Sequence, residues 1–339
     1  MRNNLKKQVL KKLELVGDLS GFNVTLLPDF FLDHIIKFKD FNGAIEEISR
    51  IYHQGGGNLP IENQMLISGG NAANTALALA KLGVRAHLIA KTSELLGMTI
   101  IKKFLEKNGV DTSRVKTDGE LSTTVALEFG GRNVMLSYAG SLSNFSFDEL
   151  GGEDLDLIAS SDVVCVTNWV LNKRGTELAE KVFSFAKEND VRTFLDMGDP
   201  SSRKEDLPEL VRKVISSRVL DVLSLNENEL KWVSNSIGIK QQNIQKILEE
   251  LQNTIYPRID VHTKDFSISN GIEISCFKAE KRISTGAGDA WNAGNILGDL
   301  LGLKDDERLL LANATAACYI SDPPNHPTLE KLREFLIKK

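Results

Sequence analysis

Ser284-Thr285-Gly286-Ala287-Gly288-Asp289 leads into a helical pattern over 287–302. Ser or Thr commonly caps a helix N-terminus, and glycines let backbone N–H groups face a ligand with no side chain in the way. With the positive end of the helix dipole, such groups form an anion site. Asp289 falls in the first turn, where a carboxylate could take the proton of an alcohol attacking a bound phosphate. The same residues also describe a plain capped helix with an acid matched to its dipole, so both readings stand. The segment lacks the Gly-Lys-Ser/Thr of a Walker A loop.

Three further segments carry polar groups in suggestive places. Ser68-Gly69-Gly70-Asn71-Ala72-Ala73-Asn74 opens a helix. The glycine pair permits close approach of a small polar ligand, and Asn71 and Asn74 lie one turn apart; a cap with helix packing explains the pattern equally. Asn226-Glu227-Asn228-Glu229 follows a buried strand, and open α/β sheets bind ligands at the carboxyl ends of strands. Asn226 and Glu229 could hold a hydrated Mg²⁺ through oxygen, or cap a helix. Asp33 sits among Phe30, Phe31, Leu32, Ile35 and Ile36, so its carboxylate needs partners, for which sugar hydroxyls or a surface turn would serve.

The elements that must position these groups follow from periodicity. Short β-branched strands at Val163–Thr167, Val191–Leu195 and Val222–Leu225 alternate with helices at 175–188, 206–216 and 240–252, the pattern of a parallel sheet buried on both faces. Earlier strands are expected at Asn23–Leu27, His34–Phe38, Met65–Ser68 and Val84–Ala90, with helices at Asn71–Leu82 and Leu95–Asn108. Thr123–Phe129 and Asn133–Tyr138 read as a hairpin across Gly130-Gly131. Residues 258–277 are β-rich, helices at 305–320 and 328–337 close the chain, and 39–62 reads as an insertion. Residues 4–16 form an amphipathic helix expected to dock on the body.

Composition narrows the function classes. The chain has 339 residues, 42% hydrophobic and 26% charged, with a formal charge of −5. That balance suits a folded soluble protein and gives no basic excess for nucleic acid. No apolar run reaches a membrane span, which needs about 18 residues or more. Cys165, Cys276 and Cys318 are too scattered for a disulfide framework and suggest a reducing, cytoplasmic setting.

An early Asp, a G-G-N-x-x-N helix start, an N-x-x-E after a central strand and a late G-A-G-D resemble, in that order, the ribokinase (PfkB) family of carbohydrate kinases, over roughly 22–335. The resemblance implies a three-layer α/β/α domain over 21–339 with a small β-sheet lid, drawn from roughly 33–38, 63–68 and 122–138. Residues 1–20 would be an N-terminal helical extension. It further implies ATP-dependent, Mg²⁺-assisted phosphoryl transfer to a hydroxyl of a sugar or sugar-like molecule. Asp289 would be the base, with Gly286, Ala287 and Gly288 as the anion hole. Asp33, Gly69, Gly70, Asn74 and Asn168 would bind the acceptor. Asn226 and Glu229 would serve nucleotide and Mg²⁺, with Glu229 acting through water. Asp196-x-x-Asp199-Pro200 would lie near the phosphate path, and Asn313 would border the adenine. Pairing of lids implies a homodimer.

Three departures bear on this reading. Ile283 and Ser284 stand where the family carries Asp and Thr, which puts a monovalent-cation requirement in doubt. The usual T-x-G-x-x-G of the nucleotide site is missing. His262-Thr263-Lys264-Asp265-Phe266 takes its place, with Lys264 either a phosphate contact or a solvated residue. A nucleoside or sugar-phosphate acceptor is the alternative within the family, with Arg132 either reaching an acceptor phosphate or sitting solvated. A non-catalytic binding protein would have no need of Asp289 and both glycines. A nicotinamide oxidoreductase would want its Gly-rich turn after an early strand.

Overall fold

A computed structural model of the chain describes residues 2–61, 63–130, 132–278 and 285–339. Gly131 of the hairpin turn, and Ile283 and Ser284, lie outside them. The strands are β1 (Asn23–Leu27), β2 (Phe31–Phe38), β3 (Asn63–Gly69), β4 (Arg85–Leu88), β5 (Ser122–Phe129), β6 (Arg132–Tyr138), β7 (Val163–Thr167), β8 (Arg192–Asp196), β9 (Val222–Asn226), β10 (Arg258–His262), β11 (Phe266–Ser269) and β12 (Ile272–Ser275). The helices are α1 (Arg2–Val16), α2 (Phe41–His53), α3 (Asn71–Leu82), α4 (Leu96–Phe104), α5 (Gly152–Ala159), α6 (Gly175–Glu188), α7 (Leu207–Leu210), α8 (Glu227–Ser236), α9 (Ile244–Gln252), α10 (Ala287–Leu300), α11 (Asp305–Ser321) and α12 (Leu329–Lys338).

The main sheet runs β12-β11-β10-β9-β8-β7-β1-β4. The strands from β4 to β10 are parallel, and β11 and β12 turn back antiparallel. Successive residues point to opposite faces: Val163 and Cys165 join one core, Val164 and Val166 the other. The first core takes in α1, α3, α4, α10, α11 and α12, the second α5 to α9. The result is a sheet between two helical layers. One helix expected from the sequence is broken: 95–108 becomes α4 and a separate 3₁₀ turn. The stretch at 206–216 becomes the short α7 and a π turn.

A second sheet, β3-β2-β5-β6, stands over the carboxyl ends of the main strands. Its β2–β5 pairing is parallel and its outer pairings antiparallel. One face carries Asp33, Thr124, Met135 and Ser137 toward a cavity. The other leaves Leu66, Val134 and Leu136 exposed. The insertion forms α2, whose Asp40 side chain caps it by accepting from the Gly43 N–H. Its Phe41 packs edge-on against Phe129 of β5. No helix among the described residues is long and apolar enough to cross a membrane.

Candidate active site

A cavity of about 310 Å³ lies between the two sheets. Its floor is built by strand ends: Asn168 just past β7, Asp196 closing β8, Asn226 closing β9 and His262 closing β10.

The helix α10 begins at Gly286, whose φ of +83° is the left-handed region that glycine adopts freely. A side chain there would come within 2.6 Å of the Tyr319 hydroxyl, which donates to the Thr285 carbonyl at 3.0 Å. The turn therefore needs glycine twice over, for its dihedral and for the tyrosine that braces it. The first-turn N–H groups of α10 lack helical partners by geometry and face the side on which Gly286, Gly288 and Asp289 line the cavity. Asp289 is buried, and Asn74 Nδ2 donates to its Oδ2 at 3.0 Å. Burial, then the charges of Asp196, Asp29 and Asp33, raise its carboxyl well above the usual range, against the Asn74 hydrogen bond. A base tuned upward in this way suits proton transfer near neutral pH.

The Gly69-Gly70 pair has an equally concrete cause. A side chain at Gly69 would collide with the Asp33 carboxylate at 2.2 Å, and one at Gly70 would press on Asp29. The pair lets two carboxylates approach the start of α3. Asp29 is fully buried. Its carboxylate accepts from the N–H groups of Asn71 (2.6 Å) and Ala72 (2.9 Å), from the Thr167 hydroxyl (2.6 Å) and from Asn168 Nδ2 (2.9 Å). It caps α3 from outside and fixes Asn168, itself held at a φ of +52°. Burial pushes the Asp33 carboxyl up to about 7, opposed by the Thr124 hydroxyl and reinforced by Asp29.

Asn226 and Glu229 form a reciprocal cap: the Glu229 N–H donates to Asn226 Oδ1 at 3.0 Å, and the Asn226 N–H to Glu229 Oε2 at 2.9 Å. The capping role is thus real, and it places Glu229 in the cavity wall. Burial and the charges of Asp196, Asp199 and Asp289 push Glu229 up to about 8. Asp196 is held by Asn292 Nδ2 at 2.6 Å, and Asn292 in turn accepts from the Ser224 hydroxyl. Asp33, Asp196, Asp199, Glu229 and Asp289 line the cavity with no lysine or arginine among the described lining residues. All are hard oxygen donors suited to a divalent cation. Among the described residues no three acids, histidines or cysteines converge tightly enough to hold a metal ion by themselves.

Two expected residues lie outside the lining of this cavity. Lys264 is exposed on the turn between β10 and β11, outside the cavity lining, and His262 lines the cavity instead. Burial pushes His262 down to about 4, and its ring packs on Trp291. Asn313 is buried between α10 and β12, accepting from Trp291 Nε1 and donating to the Ile274 carbonyl. Both ends of its amide are engaged inside the protein. Arg132 also lies outside the cavity lining. Sequence reasoning passed over Asp29, Asn292, His262 and Tyr319. Asn292 alone left a signal, a polar residue one turn beyond Asp289 on an apolar helix.

Residues 44–330 match the pfkB family carbohydrate kinase profile. Asp33 precedes that segment. Among curated proteins, the chain is 24% identical to 5-dehydro-2-deoxygluconokinase 1 of Bacillus cereus, across 75% of this chain and 80% of the relative. It is 23% identical to the ribokinase of Haemophilus influenzae, across 92% and 98%. Among solved structures, Arabidopsis thaliana ribokinase complexed with ribose and ATP superposes with a TM-score of 0.72 at 19% identity, covering 93% of this chain and 98% of that one. Adenosine kinase from Sinorhizobium meliloti gives 0.74 at 18%, covering 94% and 98%. With the sheet, the second sheet above it and the profile spanning most of the chain, the protein belongs to the pfkB family of carbohydrate kinases.

Proposed function

We propose that the protein transfers the γ-phosphoryl group of ATP to a hydroxyl of a sugar or sugar-like molecule. The observation that carries this reading is Asp289, a buried carboxylate with a raised pKa in the first turn of α10, beside the glycine-built N-terminus. Asp289 takes the acceptor hydroxyl's proton as the oxygen forms its bond to the γ-phosphorus. The bond from that phosphorus to the bridging oxygen breaks, and ADP leaves with the electron pair. The backbone of Gly286, Ala287 and Gly288 offers N–H groups to the transferring phosphoryl oxygens. Asp33, Asn74, Asn168 and the Gly69-Gly70 backbone hold the acceptor's hydroxyls, and Asn74 steadies Asp289.

The described lining residues supply no positive side chain, while phosphoryl transfer concentrates negative charge. Mg²⁺ fits this oxygen-rich wall, held by Glu229 through water with Asn226 beside it, and bound it would neutralise that charge. Neither Lys264 nor Asn313 enters this reading of the nucleotide site. We read the protein as cytoplasmic and homodimeric. The exposed apolar face of the second sheet continues into Phe41 of α2, and two copies pairing there would cover it.

The test is a nucleotide-consumption screen with Mg²⁺. It pairs ATP, GTP and ADP with pentoses, hexoses, sugar acids, polyols, sugar phosphates and nucleosides, and uses Asp289→Ala as the blank. Turnover on one acceptor that vanishes in the blank upholds the reading. Turnover that persists in the blank removes Asp289 from its role.

A further inference from the structure

A second cavity, of about 340 Å³, opens behind the first. Asp33, Asn74, Thr285 and Gly286 line both. Beyond this shared wall it lies among α3, α4, the end of α11 and the loop before α12.

Its chemistry differs from that of its neighbour. Asp33 is the only acid among its described lining residues, whereas Lys81 and Lys331 both line it. Lys331 lies 3.5 Å from Asp322 at the exposed rim. Lys81, half-buried at the end of α3, has no carboxylate within ion-pair distance among the described residues. Its charge reinforces the burial that pushes His326 down to about 3.

Two lining side chains hold polar atoms without partners. His326 is 7% exposed and its Nδ1 has no hydrogen-bond partner among the described residues; Ser68 is 8% exposed and its Oγ has none either. Buried polar atoms in folded proteins are nearly always satisfied, by protein groups, by ordered water or by a bound group. Two of them in one cavity, beside an ammonium with no carboxylate partner among the described residues, describe a set of groups that an anion would fill. A cation would meet the two lysines there. A small oxyanion would meet Lys81 Nζ, the Ser68 hydroxyl and an N–H of His326.

We propose that this second cavity binds a compact oxyanion, a carboxylate or phosphate group, held by Lys81, Ser68 and His326. The shared wall means that such a group touches the residues that flank the acceptor and the anion hole. The oxyanion is either the far end of the acceptor itself or a separate effector. Only that choice rests on the kinase reading; the binding does not.

The test is calorimetric titration of inorganic phosphate into the full chain with β,γ-methylene-ATP and Mg²⁺ saturating, so that the phosphate path of the first cavity, anion hole included, is filled. Wild type is expected to bind phosphate at one site. Lys81→Met should weaken that binding by roughly tenfold or more, the loss of one charge-assisted hydrogen bond. Lys81→Arg should restore most of it. Retained binding of β,γ-methylene-ATP shows that each variant is folded. Equal phosphate affinity in wild type and Lys81→Met overturns the proposal, as does absence of phosphate binding in wild type. Failure of β,γ-methylene-ATP to bind, with phosphate binding still sensitive to Lys81, defeats the kinase reading and upholds the cavity. With an acceptor in hand, phosphate that raises only its KM marks the cavity as the seat of the acceptor's anionic end. Phosphate that changes kcat marks a separate effector. Either effect must vanish in Lys81→Met.

Discussion

The two ends of α10 bury carboxylates in opposite ways. Near its C-terminus, Asp299 accepts from both Nη atoms of Arg258, at 2.9 and 2.7 Å. Arg258 and Arg308 also bind the fully buried Asp260, which Asn295 joins from α10 itself. These two guanidinium groups hold Asp260 down at about 2 despite its burial. At the N-terminus, about 15 Å away at 1.5 Å per residue, Asp289 shares its surroundings with Asp33, Asp196 and Glu229 and has no cationic partner among the described residues. Each of these four is pushed upward. One end is a finished structural network. The other carries repulsion and desolvation that a cation and a hydroxylated ligand would relieve, the usual signature of a functional site.

This contrast can be broken at several points. Asp289→Ala is expected to cut kcat by at least about 10²-fold, the low end for loss of a general base, with thermal stability unchanged or raised; near-normal steady-state turnover would refute its role. Asp260→Ala should do the reverse. It leaves two buried guanidinium groups short of a partner and should cost about 3–5 kcal/mol in urea unfolding, while molecules that remain folded keep their KM values.

Asp33→Ala should raise the acceptor KM and leave nucleotide binding intact, and equal damage to both would make Asp33 structural. In wild type the acceptor KM should rise as pH falls through about 7, where Asp33 gains its proton, and the variant should lose that dependence. Glu229→Gln tests the stored repulsion directly. A carboxyl raised to about 8 in the fold takes up protons more readily there than in the unfolded chain. It therefore costs stability progressively as pH rises from the ordinary glutamate range to 8. The variant should melt a few degrees higher than wild type at pH 8, and the gap should close toward pH 4. The smallest effect concerns whether a monovalent cation adds positive charge to this site. Ile283 stands where the family carries an Asp, so initial rates in Na⁺ and K⁺ should be alike.

The contrast also explains what could be read from the sequence. The glycine turns at 69–70 and 286–288 were legible because a backbone requirement is local and leaves its residue type behind. The parallel strands were legible because burial on both faces selects short β-branched runs. Asp29 was not, since its partner Asn168 stands 139 residues away and only the sheet order brings them together. The Arg258–Asp260–Arg308 network was hidden for the same reason. Lys264 and His262 differ by two positions, yet the strand ends between them, so one points into the cavity wall and the other sits on an exposed turn. Asn313 stands on a late helix where the resemblance suggested a nucleotide neighbour. The packing of Trp291 against it shows an amide holding two elements together.

The docking of α1 bears on how the molecule is made. Val9 and Leu13 are buried in a core that α11 and α12 complete, and Arg333 donates to the Leu13 carbonyl across 320 residues of chain. A segment translated early thus waits for segments translated late. Until 305–338 have left the ribosome, its apolar stripe has no surface to cover it, and closing so long a loop is entropically slow. During that interval the nascent chain carries an uncovered amphipathic helix, the kind of surface that chaperones bind and that crowded nascent chains share by mistake.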